Sequence, residues 1–160
     1  MDVKPCAIQD VETFVQSVLT LLQIDNWDVS VVFCSNDFIR GLNKQYRNKD
    51  EATDVLSFCQ SVKLCDAGEH TDQFSQAMSN IDASIDEVCT HNAAAGDIVI
   101  SLEYLKQNAK IFNVSVSEEL HRLLVHGILH LKGMDHSTND PTEEMLVLQE
   151  DLLKRAEDMS

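Results

Sequence analysis

The pattern that most constrains this chain is a run of three histidines that begins inside one amphipathic helix and ends just beyond it. His126, His130 and His136 are spaced H-x3-H-x5-H, and Gly133 lies between the last two. Residues four apart share one face of a helix, with about 5–6 Å between their Cβ atoms, so the first two imidazoles can reach one ion. The glycine permits a sharp exit from the helix, which lets the third histidine approach from another direction. The spacing therefore predicts a metal site with three histidine ligands.

The type and number of ligands indicate which metal this site would hold. Three neutral imidazoles suit zinc, and copper or nickel are chemically possible. We therefore expect one Zn²⁺ per chain. Three protein ligands leave the fourth tetrahedral position open, as in catalytic zinc sites. A closed structural site would need a fourth ligand from Asp135 or a distant acid, and this alternative stays open.

One position separates this run from the zinc proteases. Those enzymes carry H-E-x-x-H-x-x-G-x-x-H, in which the glutamate is the general base. This chain has Gly127 where the glutamate stands. A protease mechanism would lack its proton acceptor. Either another group must therefore accept the proton from water, or the metal must lower the pKa of its bound water enough to form hydroxide.

The length of 160 residues predicts a single domain, because a chain of this size can bury one core. Hydrophobic periodicity predicts that this domain contains both helices and strands. Apolar residues at helical spacing and N-cap signals predict five helices, and alternating or valine-rich runs predict three strands. The helices are expected at about 8–22, after Ser35 to about Arg47, at 102–112, after Ser115 to Leu131, and from Asp140 to about Ala156. The strands are expected at 27–34, 53–59 and 96–101.

The segment from about 60 to 95 is polar, acidic and rich in Ser, Ala and Asp. This composition predicts an insertion in a strand-to-strand connection, mobile or weakly helical. An acidic regulatory or docking loop is the functional alternative. His70 and His91 lie in this insertion, where we expect them to be exposed and without a metal role.

The charge distribution narrows the choice of partners. The formal net charge is −15, which repels a polyanion unless basic groups are focused in one place. They are focused in part, because four of them fall within ten residues: Arg40, Lys44, Arg47 and Lys49. The net charge therefore argues against a generic nucleic-acid binder, and the focused cations allow a local phosphate-binding patch.

Composition also bears on localisation. No apolar run approaches the ~18 residues of a membrane span, and the first residues lack a signal-peptide pattern. Five cysteines form no C-x-x-C pair and give no disulfide framework or cysteine zinc site. We therefore expect reduced thiols, a cytoplasmic protein and no membrane partner.

Three motifs together resemble one known family. They are NKQYRNKDEATDVLSF at 43–58, GDIVIS at 96–101 and VHGILHLKGMDH at 125–136. In this order they resemble the YbeY family, bacterial zinc-dependent endoribonucleases of ribosomal RNA maturation. The likeness runs from the first helix to the last and leaves out about 60–95. Two positions depart from the family pattern, Ala52 for a proline and Met134 for a tyrosine, and neither removes a ligand.

The resemblance implies a fold and a set of site residues. The fold is α/β of the α+β type, a single domain over 1–160 with a mixed sheet of about four strands, about five helices and the metal site in a cleft. The zinc ligands carry over to His126, His130 and His136, and the family's functional arginine to Arg47. Without the resemblance, Arg47 is better explained as a surface charge.

The resemblance also implies an activity. It is zinc-dependent, single-strand-specific cleavage of RNA in ribosomal RNA processing, including late small-subunit maturation, and in ribosome biogenesis. Arg47 would steady the phosphate as the catalytic group, and Lys44 and Lys49 would bind substrate. Expected partners are single-stranded ribosomal RNA and the small ribosomal subunit or its proteins, with no DNA. Two alternatives stay open: a zinc hydrolase of peptides or small molecules, and a non-catalytic zinc-containing ribosome-assembly factor.

Several other residues near the motifs have roles that the sequence leaves open. Three acids could cap elements, form turns or orient the histidines: Asp54, Asp97 and Asp135. Arg122 lies one turn before His126 on the same helix face. It either binds phosphate or pairs with Glu118 or Glu119. His121 is expected on the other flank of this helix.

Overall fold

A computed structural model describes residues 8–60 and 93–159 of the chain. Within these two ranges the protein has five helices and three strands. The helices are α1 (Ile8–Leu21), α2 (Asn36–Arg47), α3 (Leu102–Ile111), α4 (Val116–Leu131) and α5 (Glu144–Met159). The strands are β1 (Trp27–Cys34), β2 (Val55–Cys59) and β3 (Ala93–Ser101).

The strands form a mixed sheet in the order β1-β3-β2. Strand β3 is central, pairing in parallel with β1 and antiparallel with β2. This confirms the expected mixed α/β architecture with five helices, while the described ranges contain three strands where about four were expected. Since Ser101 ends β3 and its hydroxyl accepts a hydrogen bond from the Tyr104 N–H, α3 follows the strand without a loop.

Alternating residues of β3 divide the core into two layers. Ile98 and Ile100 are fully buried in a large cluster with side chains of α1, α3, α4 and α5. Val99 points to the other face, where it packs with Leu56 of β2 and Ile39 of α2. One face of the sheet therefore carries α2, and the other carries α4, which bears the histidine run.

Local capping signals explain most of the helix boundaries. Ser115 and Glu118 form the predicted capping box at the start of α4, and Ser35 caps α2. The expected start of α5 at Asp140 is wrong. The Asp140 carboxylate accepts hydrogen bonds from the Thr142 N–H and hydroxyl, which makes a turn, and the helix begins at Glu144.

The structure also bears on the expectations for membrane helices, for the cysteines and for the acidic insertion. None of the described helices is long and apolar enough to cross a membrane. Cys34 has a free thiol, but Cys59 is disulfide-bonded, so the expectation of reduced thiols is wrong at that position. His70, His91 and nearly all of the acidic insertion lie outside the described residues.

Candidate metal centre

The three histidines of the run come together at the C-terminal end of α4. The Nε2 atoms of His126 and His130 lie 3.0 Å apart. His136 arrives from the loop after the helix, and one ligand atom from each residue lies within 4.8 Å of the others. Two zinc ligands at about 2.0–2.1 Å and a tetrahedral angle are about 3.3 Å apart, so the separation of the His126 and His130 nitrogens fits two ligands of one ion, and the His136 ring lies beside them.

The turn after α4 brings the third histidine into place. Gly133 has a φ of +94°, a conformation that L side chains rarely adopt. Its N–H donates to the His130 carbonyl at 2.9 Å, and the Met134 N–H donates to the Leu129 carbonyl at 3.0 Å. This pair of hydrogen bonds is a Schellman motif, which confirms the sharp exit expected at Gly133.

Each imidazole has its Nδ1 next to a protein oxygen. His126 faces the Gln149 Oε1 at 2.8 Å, His130 the Met134 carbonyl at 3.0 Å, and His136 the Thr138 carbonyl at 2.8 Å. A backbone carbonyl only accepts hydrogen bonds, so Nδ1 carries the proton in the last two rings. Their Nε2 lone pairs are then available to a metal, an arrangement typical of histidine ligands.

The loop that carries His136 is held by Glu143. Its carboxylate accepts hydrogen bonds from the N–H of Ser137 at 2.9 Å and from the N–H and hydroxyl of Thr138 at 2.8 and 2.7 Å. The side-chain hydrogen bond from Thr138 is the main cause that lowers the pKa of Glu143. The Thr138 carbonyl is thereby positioned for His136.

The surroundings of His126 and His130 lower the pKa of both rings and favour neutral imidazoles there. Burial, followed by the neighbouring His126, lowers the pKa of His130 to about 4. Burial is also the largest cause that lowers the pKa of His126, and the charge of Arg47 adds to it. Neutral imidazole is the metal-binding form, so protons compete weakly with a metal at neutral pH. The geometry and the protonation of these residues fit zinc.

The cluster opens into a cleft of about 940 Å³. The groups that could bind a metal within the described ranges are the three histidines, with no fourth ligand beside them. Asp135 instead accepts a hydrogen bond from the His136 N–H through Oδ1 at 2.8 Å. A metal bound here would therefore keep an open position toward the cleft, and no described residue supports the closed structural site.

Arginine and lysine side chains line the same cleft. Arg47, the last residue of α2, lines it. Lys49 lines it too, after Asn48, whose left-handed φ of 56° turns the chain at the end of the helix. Lys44 does not line it, since it pairs with Asp50 at 3.3 Å. Lys132, which the sequence analysis missed, also lines the cleft. No described residue forms an ion pair with the three cleft cations Arg47, Lys49 and Lys132.

The acids near the motifs do not orient the histidine rings. The Asp54 carboxylate accepts from the Val55 N–H at 2.8 Å and from the Asn108 amide at 3.2 Å. Asp97 accepts from the Gln60 amide at 2.8 Å. Gln149 and two carbonyls hold the rings instead. The signal that could have revealed Gln149 is its polar side chain on the buried face of α5, beside Met145, Leu152 and Leu153.

Arg122 and His121 lie outside the cleft lining. Arg122 pairs with Glu119 at 3.3 Å and with Glu150 at 3.1 Å, so its carboxylate-pairing alternative is supported. His121 stacks on Phe14 with ring centroids 3.8 Å apart, on the flank expected from the sequence.

Gly127 faces the sheet. A Cβ atom at this position would meet the Ile98 side chain of β3 at 2.9 Å. A glutamate here would point into the core and away from the cleft. The glycine therefore lets α4 lie close against β3, and the position that serves as general base in zinc proteases is unsuited to that role.

Replacement of Gly127 by alanine is expected to reduce the free energy of unfolding by about 1–2 kcal/mol. Overpacking against Ile98 costs about 1–3 kcal/mol, and the higher helix propensity of alanine offsets up to about 1 kcal/mol. Urea denaturation measures the change. Gly41 is the matched control, because a Cβ atom there meets nothing within 4 Å. Gly41→Ala should stabilise α2, and an equal gain from Gly127→Ala would contradict the close packing.

Fold and site together define this chain as a small α/β protein with a cluster of three histidines that could hold a metal ion and that opens into a cleft. The family model described as Endoribonuclease YbeY matches residues 3–157. The chain belongs to this YbeY family, which confirms the resemblance of the three sequence motifs.

Individual relatives agree with this assignment. Endoribonuclease YbeY of Treponema denticola is 48% identical over 149 residues, which cover 93% of this chain and 83% of the relative. The Borreliella burgdorferi protein of the same name is 45% identical over 88% of this chain and 81% of its own length. A solution structure from Thermotoga maritima has a TM-score of 0.56 and 24% identity, covering 99% of this chain and 87% of its own, and supports the fold alone.

Proposed function

We propose that this protein is a zinc-dependent endoribonuclease that cleaves single-stranded RNA during ribosomal RNA processing. The observation that carries the proposal is the placement of the three-histidine cluster and Arg47 in one cleft. The relatives named Endoribonuclease YbeY, at 44–48% identity over most of the chain, support RNA as the substrate class. The proposal takes residues 1–160 as one domain with an insertion at about 60–95.

The cleft residues would have different roles in phosphodiester cleavage. His126, His130 and His136 would hold the zinc ion through their Nε2 atoms. Zinc supplies Lewis-acid chemistry, polarising a phosphate oxygen and making water more acidic. Arg47 would donate two parallel hydrogen bonds to the scissile phosphate and offset the negative charge that develops there.

The cleft cations explain how an acidic protein can accept RNA. Arg47, Lys49 and Lys132 are exposed and have no ion pair with a described residue, whereas Lys44 and Arg40 are bound to Asp50. The two carboxylates in the cleft lining, Asp54 and Asp135, offset part of this charge, and the three cations leave a local positive excess in spite of the net charge of −15. A single strand can bend its backbone into such a cleft, whereas a stacked duplex keeps its phosphates on a convex surface.

The proposed biological setting is late maturation of small-subunit ribosomal RNA, and therefore the cytoplasm. The strongly acidic surface outside the cleft is suited to contact basic ribosomal proteins, because complementary charge guides association. The two alternative functions are less favoured. Gly127 faces the core and excludes the protease general base, and the relatives' names disfavour a non-catalytic assembly factor.

The proposal is tested on purified protein with two measurements, zinc content and cleavage of a single-stranded RNA beside the same RNA annealed to its complement. We expect about one zinc per chain and faster cleavage of the single strand. Protein without bound metal would overturn the metal centre. Protein that holds zinc and cleaves neither RNA would point to the assembly-factor function.

Lys132→Ala is expected to weaken binding of single-stranded RNA several-fold through the loss of one phosphate contact. Each contact contributes about −0.7 to the slope of log K against log salt concentration, so the slope should become shallower by about 0.7. A fluorescence-anisotropy titration at several salt concentrations measures both changes. Lys106→Ala, an exposed lysine of α3 away from the cleft lining, is the control. Equal slopes for the two variants would remove Lys132 from the RNA-binding surface.

A further inference from the structure

Gln149 is the one side chain among the three oxygen partners of the histidine rings. It lies on α5, 23 positions after His126, and is only 6% exposed. Its Oε1 is 2.8 Å from His126 Nδ1. The other two partners, the carbonyls of Met134 and Thr138, belong to the loop that follows α4. Ligand orientation at His126 therefore depends on a single replaceable side chain.

The orientation of the Gln149 amide is set by what lies beyond it. Its Nε2 faces Glu150 Oε1 at 3.5 Å, and the same carboxylate oxygen accepts from Arg122 Nε at 3.1 Å. A carboxylate oxygen accepts hydrogen bonds only, so a flipped amide would place two acceptors against each other. With Oε1 toward the ring, the His126 Nδ1 must carry the proton, and its Nε2 lone pair points into the cluster.

The three oxygen partners share one further property, which is that they are all uncharged. Histidine ligands often donate instead to a carboxylate, which raises ligand basicity and adds a negative charge near the metal. Here Gln149, Met134 and Thr138 supply an amide and two carbonyls. A divalent ion held by neutral ligands and neutral partners keeps its charge of about +2, and the opposing negative charge in the cleft lining comes from Asp54 and Asp135.

We propose that Gln149 is a positioning residue that fixes the ring of His126 toward the metal and, because it is neutral, preserves the affinity of the centre for an anionic phosphate group. The inference rests on the proposed metal centre and adds to it a determinant of substrate charge. It assigns the role to the amide itself. A carboxylate of the same size would still accept from His126 Nδ1, but its second oxygen would face Glu150 Oε1, and its charge would weaken the phosphate site.

The experiment compares wild type, Gln149→Met and Gln149→Glu as full chains. Competition with a chromophoric chelator measures the Kd for Zn²⁺. Absorption spectra of the Co²⁺-loaded proteins report ligand geometry and, on titration with inorganic phosphate, the Kd for that anion. Gln107→Met, at an exposed position of α3, is the matched control.

We expect Gln149→Met to weaken zinc binding about 10–100-fold, the usual effect of losing such a partner, and to alter the Co²⁺ spectrum. Gln149→Glu retains an acceptor for His126 Nδ1 and should keep bound zinc, but it should bind inorganic phosphate on the order of tenfold more weakly because of the added negative charge. Gln107→Met should match wild type in all three measurements.

Three results would overturn the inference. A Gln149→Met protein that unfolds more easily while its zinc affinity and Co²⁺ spectrum stay unchanged would leave Gln149 a merely structural role. A Gln149→Glu protein with wild-type phosphate affinity would remove the charge argument. A wild-type protein that fails to bind Zn²⁺ would overturn the metal centre itself, and this failure is visible before any variant is compared.

Discussion

His130→Ala is expected to release the metal and to lower the rate of RNA cleavage by about 10³-fold or more. His130 is central to the cluster, since its Nε2 lies 3.0 Å from that of His126 and its Nδ1 is held by the Met134 carbonyl. Removal of one of three ligands leaves two, which hold zinc weakly. Loss of several kcal/mol of transition-state stabilisation by a metal corresponds to a factor of about 10³ in rate.

Zinc content after dialysis and the initial rate of cleavage measure these two effects. His121→Ala is the matched control because His121 lies on the same helix but stacks on Phe14 and does not line the cleft. It should lose some stability and keep both zinc and activity. His136→Ala removes a ligand from the loop and leaves α4 intact, which separates metal loss from damage to the helix. Full activity of both ligand variants would show that cleavage does not use this centre.

The metal cluster could be predicted from the sequence because nearly all of its geometry is local. His126 and His130 are one helical turn apart, and Gly133 creates the turn that returns His136. The same locality applies to the helix starts at Ser35 and Ser115, where the hydrogen bonds span three residues. Periodicity and capping encode such features directly.

The Gln149 partner of His126 could not be predicted in this way, because its position depends on how two helices pack. Gln149 reaches His126 only after α5 has docked on α4, and sequence spacing does not encode that contact. The lysines show the same limit. Lys44 and Lys49 belong to the same basic run of the sequence, but Lys44 pairs with Asp50 and only Lys49 of the two lines the cleft. Lys132 lines the cleft from the end of α4, far from this run in sequence.

The start of α5 shows why a strong local signal can mislead. Asp140-Pro141-Thr142-Glu143 has the residues of a helix N-terminus. In the fold, the Glu143 carboxylate bonds Ser137 and Thr138, which holds the loop of His136. Hydrogen bonds within the loop thus engage a residue that helix propensity would place in the first turn. The site and the helix boundary are determined together.

Arg47→Ala is expected to lower kcat/KM for single-stranded RNA by about 10²–10³-fold without loss of zinc. The Arg47 side chain lines the metal cleft and is near enough to His126 for its charge to lower the pKa of that ring. It lies next to the cluster but outside it, so the variant should retain the metal. Removing one preorganised donor to a developing negative charge usually costs 10²–10³ in rate.

Arg47→Lys distinguishes the two possible contributions of this side chain. Lysine retains the positive charge and loses the planar fork that donates two parallel hydrogen bonds. If the bidentate contact matters, the lysine variant should bind RNA nearly as well as wild type and still cleave it slowly. Steady-state kinetics, with zinc content measured on the same samples, separate KM from kcat. A lysine variant with wild-type kcat would reduce Arg47 to a general electrostatic attractor, and an alanine variant with wild-type kcat/KM would return it to a plain surface charge.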